Sequence, residues 1–185
     1  MKIVFSNPDE VHTYMANLPA IDTATADQAH DRQQQLTKPP GSLGRLEDLA
    51  IWMAGWQGQE KPQVKAPACL IFAGNHGVAQ NGVSAFPPEV TEQMVLNFQH
   101  GGAAINQLCQ AAGASLNVFP LSLDNPTADF SEQPAMSVED TLAAMQIGAD
   151  AIPDDADLIL PGEMGIGNTS SAAALSHLVF GGQAD

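Results

Sequence analysis

Residues 68–73 read ACLIFA, and Gly74 ends the run. Six apolar side chains without alternation suit a strand buried on both faces, the kind that sits inside a parallel sheet. The chain after it has the matching rhythm. A loop, GNHGVAQNGVSAFP (74–87), leads to Pro87, Pro88 and Glu89, which favour a helix start, and a helix is expected from there to about Ala112, ended by Gly113. Ser115–Phe119 predicts a second strand, and 121–136 a loop carrying Pro126 and Pro134. Ser137-Val138-Glu139-Asp140 resembles a capping box and starts a helix through Ala149. Asp157–Pro161 predicts a third strand and Thr169–Val179 a third helix. Strands alternating with helices imply an α/β fold, a mostly parallel sheet with helices on its faces. Three strands make a thin sheet, and the apolar third strand would need to be covered or extended.

Upstream the pattern is helical. Residues 8–18 can form a short helix, and 23–36 a helix polar nearly all round, which packs through few residues. Lys38-Pro39-Pro40-Gly41 stops it. Ser42 is expected to cap the next helix, in which Leu46, Leu49, Ala50, Met53 and Ala54 recur three and four apart and Trp52 and Trp56 form an i,i+4 pair. The polar stretch 57–66 reads as a linker. The expected organisation is a helical segment over 1–60 and an α/β domain over 67–185.

Charge narrows the partners. The 185 residues hold six Lys plus Arg against 21 Asp plus Glu, a net charge of −15. Nucleic acid and anionic membrane need clustered cations, so neither fits. A small phosphate is still allowed, because helix N-termini bind anions through backbone N–H groups. No apolar run approaches the roughly 20 residues that span a bilayer, and the apolar patch near Met1 is too short for a signal peptide. A soluble cytoplasmic protein is expected. Cys69 and Cys109 read as buried free thiols. His12, His30, His100 and His177 have no metal spacing.

Ligands of open α/β sheets bind beyond the carboxyl ends of the strands. Two glycine-rich loops leave such ends, Gly74-Asn75-His76-Gly77 and PGEMGIGNTS (161–170). If their strands are adjacent, the loops face each other. His76 is a candidate acid, base or ligand hydrogen-bonding group, or a residue that ties its own loop together. Asn75 is a turn residue or, less in keeping with its composition, a strand-end hydrogen-bonder. Glu163 directly follows an apolar strand, so it reads either as a partly buried acid with a raised carboxyl pKa or as a solvated loop acid. Asn168, Thr169 and Ser170 are candidates to cap the last helix, with N–H groups free for a phosphate or carboxylate. Neither a Walker A loop nor a dinucleotide fingerprint is present.

Four stretches taken together resemble one family: KPPGSLGRLEDLA (38–50), FAGNHGVAQNGVSAFPPEVTEQMV (72–95), GGAAINQL (101–108) and PGEMGIGNTSSAAAL (161–175). They are similar to the nicotinate-nucleotide–dimethylbenzimidazole phosphoribosyltransferase (CobT) family, in its order and from about residue 30 onward. The resemblance implies a Rossmann-like sheet domain with a small helical domain. It implies transfer of ribose 5-phosphate from nicotinate mononucleotide to 5,6-dimethylbenzimidazole, a homodimer, and no metal or organic cofactor. It implies that Ser84, Phe86, Pro87 and Met94 line the benzimidazole pocket. Glu163, Gly165, Asn168 and Thr169 would lie at the nicotinate nucleotide, and Asn75, His76 and Met164 are further candidate substrate contacts. Asn75 stands where many members have Asp, and the position of Phe86 varies in the family. Members are longer, and their main catalytic base, a glutamate, lies in a carboxyl-terminal half. The resemblance thus leaves Glu163 an assisting role and the sheet incomplete. Two other readings stand beside it: a non-catalytic chain that binds the aromatic base or a partner chain, and a generic nucleotide-binding α/β domain.

Overall fold

The computed structural model describes residues 4–182. The chain divides into two compact units, one formed by His12–Lys65, the other by the described residues of Met1–Val11 and Ala66–Asp185. A first helix, α1, spans Pro8–Ala16.

The His12–Lys65 unit is built on α2 (Thr23–Gln35) and α3 (Arg45–Gln57). Asp22 caps α2: its Oδ1 accepts from Thr25 N at 3.0 Å, and Thr25 Oγ1 donates to its Oδ2 at 2.7 Å. These bonds, the hydroxyl's first, hold the Asp22 carboxyl below its ordinary pKa. Thr25 and Ala29 are the buried residues of α2, as expected for so polar a helix. Ser42 does not cap α3. The N-cap is Gly44, and the turn before it is secured by Glu47, which accepts from Lys38 Nζ at 2.7 Å and from Leu43 N at 3.1 Å. Ala54, Gly55 and Glu47 are the buried residues of α3, whereas Leu46, Leu49, Trp52 and Trp56 are exposed. The two indoles meet edge to face at 6.4 Å.

The other unit holds a three-stranded parallel sheet in the order β2-β1-β3, with β1 Pro67–Ala73, β2 Ser115–Pro120 and β3 Leu158–Met164. The central strand is buried almost throughout, which explains its unbroken apolar sequence. Phe72 pairs with Phe119 in register, and their rings stack at 5.2 Å. Cys69, Ile71 and Cys109 form a buried cluster against which Phe98, Ile105, Val118 and Met164 pack. Both cysteines are free thiols, and burial, then Cys109, pushes the Cys69 thiol up.

The helix expected from Pro87 to Ala112 is two helices, α4 (Val90–Gln99) and α5 (Ala104–Ala112). Gly101, at φ 77°, breaks the run in a conformation that side chains resist. Asn106 stitches the break, donating to Phe98 O at 2.8 Å and accepting from Ala103 N at 3.1 Å. Ser137 caps α6 (Val138–Asp150) as read, accepting from Asp140 N at 3.0 Å. The third strand extends three residues further than expected, through Glu163 to Met164. Helix α7 follows over Asn168–Phe180. It has no buried residue, and Leu175, Leu178, Val179 and Phe180 stand exposed on it. Among the described residues no helix is long and apolar enough to cross a membrane.

Candidate functional site

The carboxyl ends of β1 and β3 are neighbours, in register from Pro67↔Leu158 to Ala73↔Met164. The two glycine-rich loops therefore leave the sheet side by side. Gly74 N donates to Met164 O at 3.0 Å and carries the pairing one step beyond the strands. Gly165 is buried there, and any side chain on it would run into the Gly74 carbonyl and the His76 ring. This close approach, rather than a turn, is what requires glycine.

Two further residues lock the loops. Thr91, fully buried on α4, accepts from Ile166 N at 3.1 Å through its Oγ1. Ser171 Oγ lies 3.1 Å from His76 Nδ1. Neither residue stands out in the sequence. The only trace of Thr91 is its place four residues before buried Val95, on the inward face of α4.

Asn75 is a strand-end hydrogen-bonder and not a turn residue. Its Nδ2 donates to Leu123 O at 2.9 Å, its carbonyl accepts from Thr127 N at 3.2 Å, and its Oδ1 is buried with no partner among the described residues. The side chain of His76 reaches α7 instead of tying its own loop. Burial holds the imidazole below its ordinary pKa, and the nearby Glu163 charge works in the opposite direction.

Glu163 is not desolvated: it is an exposed residue on an edge strand. Asn168 Nδ2 donates to its Oε1. The cap expected from Asn168, Thr169 and Ser170 is absent, because Gly167, at φ 90°, occupies the N-cap. The first N–H groups of α7 are already engaged. Asn168 N donates to Gly165 O at 3.1 Å, Thr169 N to Asn168 Oδ1 at 2.8 Å, and Ser170 N to Gly167 O at 3.1 Å. An anion at this helix end would have to compete with the Asn168 side chain for Thr169 N.

A cavity of about 250 Å³ opens beside this junction, lined by Asn75, His76, Gln80, Glu89, Glu92 and Asp124 among others. The three carboxylates on its wall, Glu89, Glu92 and Asp124, favour N–H donors over phosphate there. Pro88 brings the start of α4 to the same cavity. Of the remaining candidates, Phe86 is 64% exposed and its N donates to Ser84 Oγ at 3.1 Å; neither it nor Pro87 lines the cavity. Met94 is half-buried on α4, and Met164 packs on the cysteine cluster. A larger open hollow of about 950 Å³, lined by Val4, Phe5, Leu142 and others, contains none of the candidates.

The profile of a family described as phosphoribosyltransferase matches residues 18–185. The chain is 60% identical over 166 residues to the nicotinate-nucleotide–dimethylbenzimidazole phosphoribosyltransferase of Ruegeria pomeroyi, covering 90% of this chain and 49% of that protein. It is 58% identical over 173 residues to the protein of the same name from Jannaschia sp. (strain CCS1), covering 94% of this chain and 51% of the relative. The crystal structure of the nicotinate-nucleotide–dimethylbenzimidazole phosphoribosyltransferase from Thermus thermophilus superposes with a TM-score of 0.80 at 40% identity, over 87% of this chain and 55% of that one. The chain spans about half the length of the curated relatives it matches. A profile match over most of the chain, together with a shared fold at high identity, means that the chain belongs to this phosphoribosyltransferase family.

Proposed function

We propose that the junction of the β1 and β3 ends serves a phosphoribosyl transfer, moving ribose 5-phosphate from nicotinate mononucleotide to 5,6-dimethylbenzimidazole. The products are α-ribazole 5′-phosphate and nicotinate, a step in making the lower ligand of cobalamin. The reading is carried by one observation: two loops rich in glycine and polar residues are hydrogen-bonded together at adjacent parallel strand ends. The names of the relatives supply the substrates.

In this reading Glu163, Met164, Gly165, Asn168 and Thr169 attend the nicotinate nucleotide, with Asn75 and His76 between it and the acceptor. Ser84, Phe86, Pro87 and Met94 attend the benzimidazole. A ring nitrogen of the base attacks the anomeric carbon, nicotinate leaves, and configuration inverts. The protein positions two rings and removes one proton. Glu163, exposed and held by Asn168, is an assisting group. No metal or organic cofactor takes part. The same reading includes a cytoplasmic homodimer, for which the exposed Leu46, Leu49, Trp52 and Trp56 of α3 offer an apolar stripe.

A second reading has a specific observation behind it. Leu175, Leu178, Val179 and Phe180 stand exposed on α7, which suits a non-catalytic chain that binds the base or a partner chain. One assay separates the two. The purified chain is incubated with nicotinate mononucleotide and dimethylbenzimidazole, and α-ribazole 5′-phosphate is sought by mass. Product supports the transferase and excludes an inert chain. Binding of the base without product favours the second reading.

A further inference from the structure

Ser171 has no part in the transfer as described, yet its Oγ meets His76 Nδ1 at 3.1 Å across 95 positions of the chain. The other edge of the imidazole abuts Gly165: a Cβ there would stand 3.0 Å from Nε2 and 3.1 Å from Cδ2. Glu163 lies on β3, which ends one residue before Gly165, and its charge acts on the ring. Ser171 lies in the first turn of α7, whose partial positive charge opposes an imidazolium, as burial of the ring also does. The ring is therefore neutral near pH 7 and carries one N–H. A proton on Nδ1 would leave the Nε2 lone pair on the side of the Glu163 charge. A proton on Nε2 lets Ser171 donate to Nδ1 and turns an N–H toward that charge, which is the favourable order.

We propose that Ser171 is a positioning residue: its hydroxyl donates to His76 Nδ1, fixes the ring with its proton on Nε2, and so presents a hydrogen-bond donor on the Glu163 side of the site. Its effect on ligand rests on the nucleotide reading above; its effect on the ring does not. Histidine labelled with nitrogen-15 in the 185-residue chain reports the tautomer directly from the two ring-nitrogen signals of His76. The expected result is the Nε2–H form in the parent chain, a mixture in Ser171→Ala, and recovery in Ser171→Thr. Nicotinate mononucleotide affinity, measured by calorimetry on the same samples, should fall about three- to tenfold in Ser171→Ala and return in Ser171→Thr, the loss expected for one neutral hydrogen bond. A parent chain protonated on Nδ1, or an alanine variant that keeps the pure Nε2–H form, overturns the proposal. If no chain binds the nucleotide, the functional reading fails, and the ring signals still decide for or against the tautomer control.

Discussion

Replacing Thr91 by valine tests how the loop after β3 is held. Valine keeps the shape of threonine and removes the hydroxyl that accepts from Ile166 N at 3.1 Å. Ile166 and Thr91 are both buried, so water cannot take over as acceptor. An unsatisfied buried amide costs about 1–3 kcal/mol. The added apolar methyl recovers under about 1 kcal/mol, which leaves a net loss of about 1–2 kcal/mol. For a chain of this size each kcal/mol lowers Tm by about 2–4 °C, so Thr91→Val should melt about 2–8 °C below the parent. Thr91→Ser is the control. It keeps the acceptor and loses a methyl, at about 1 kcal/mol. Thermal unfolding gives the stabilities, and hydrogen exchange of the Ile166 amide gives the local effect. Exchange should quicken in the valine variant and stay slow in the serine variant. A valine variant as stable as the parent, with the Ile166 amide equally protected, would refute the assignment of Thr91 as the loop's anchor.

Three other outcomes follow from the same geometry. Gly165→Ala drives a methyl into the Gly74 carbonyl and the His76 ring, and should cost about 1–3 kcal/mol in urea unfolding, the range for overpacking; an unchanged midpoint would show that the two loops are not in contact. His76 is held below its ordinary value of about 6.5, so the unfolded chain binds more protons as pH falls. The stability it contributes is complete above about pH 6.5 and is lost as pH falls through the folded value. Glu163→Gln should lower the His76 midpoint further by proton NMR, since it removes the charge that opposes burial, and a rise in that midpoint would contradict this; in an active enzyme, unchanged kcat and KM would remove Glu163 from the site. Lys38→Met should lower Tm at pH 7, because Glu47 loses the partner that does most to hold its carboxyl low. That deficit should fade as pH falls through the folded Glu47 value, where the parent also loses the pair, and a pH-independent deficit would argue against it.

What the sequence revealed, and what it hid, follows from the range of the forces involved. The central strand was legible because burial on both faces leaves no polar position to confuse the pattern. The end of β3 was not. The reading closed the strand at Pro161, yet among the described residues β3 pairs on one side only, where proline is tolerated, and it continues past Gly162, where a side chain would meet Ile71. The structure puts Glu163 on an exposed strand edge, the solvated one of its two readings. The break in the expected Pro87–Ala112 helix lay in plain sight at Gly101-Gly102, but its repair by Asn106 depends on a side chain reaching back eight residues.

The remaining failures share one cause. Thr91 to Ile166 and Ser171 to His76 are single hydrogen bonds between residues far apart in the chain, and neither Thr91 nor Ser171 has a distinctive local pattern. A serine in the first turn of a helix reads as a routine polar residue, and a threonine in a helix as a mild misfit. Their roles appear only once β1 and β3 lie side by side. The sheet order then dictates that any group at the end of β1 shares its environment with the start of α7. From this follows a constraint on the chemistry itself. The α7 N-terminus meets its own backbone needs through Asn168 and Gly165, and the adjacent cavity is walled by carboxylates. A nucleotide entering here must therefore displace the Asn168 side chain from Thr169 N before its phosphate gains anything from the helix. Asn168→Ala, which leaves that N–H without its side-chain partner, should tighten binding of inorganic phosphate relative to the parent chain. Equal or weaker phosphate binding by calorimetry would show that the anion does not approach through Thr169 N.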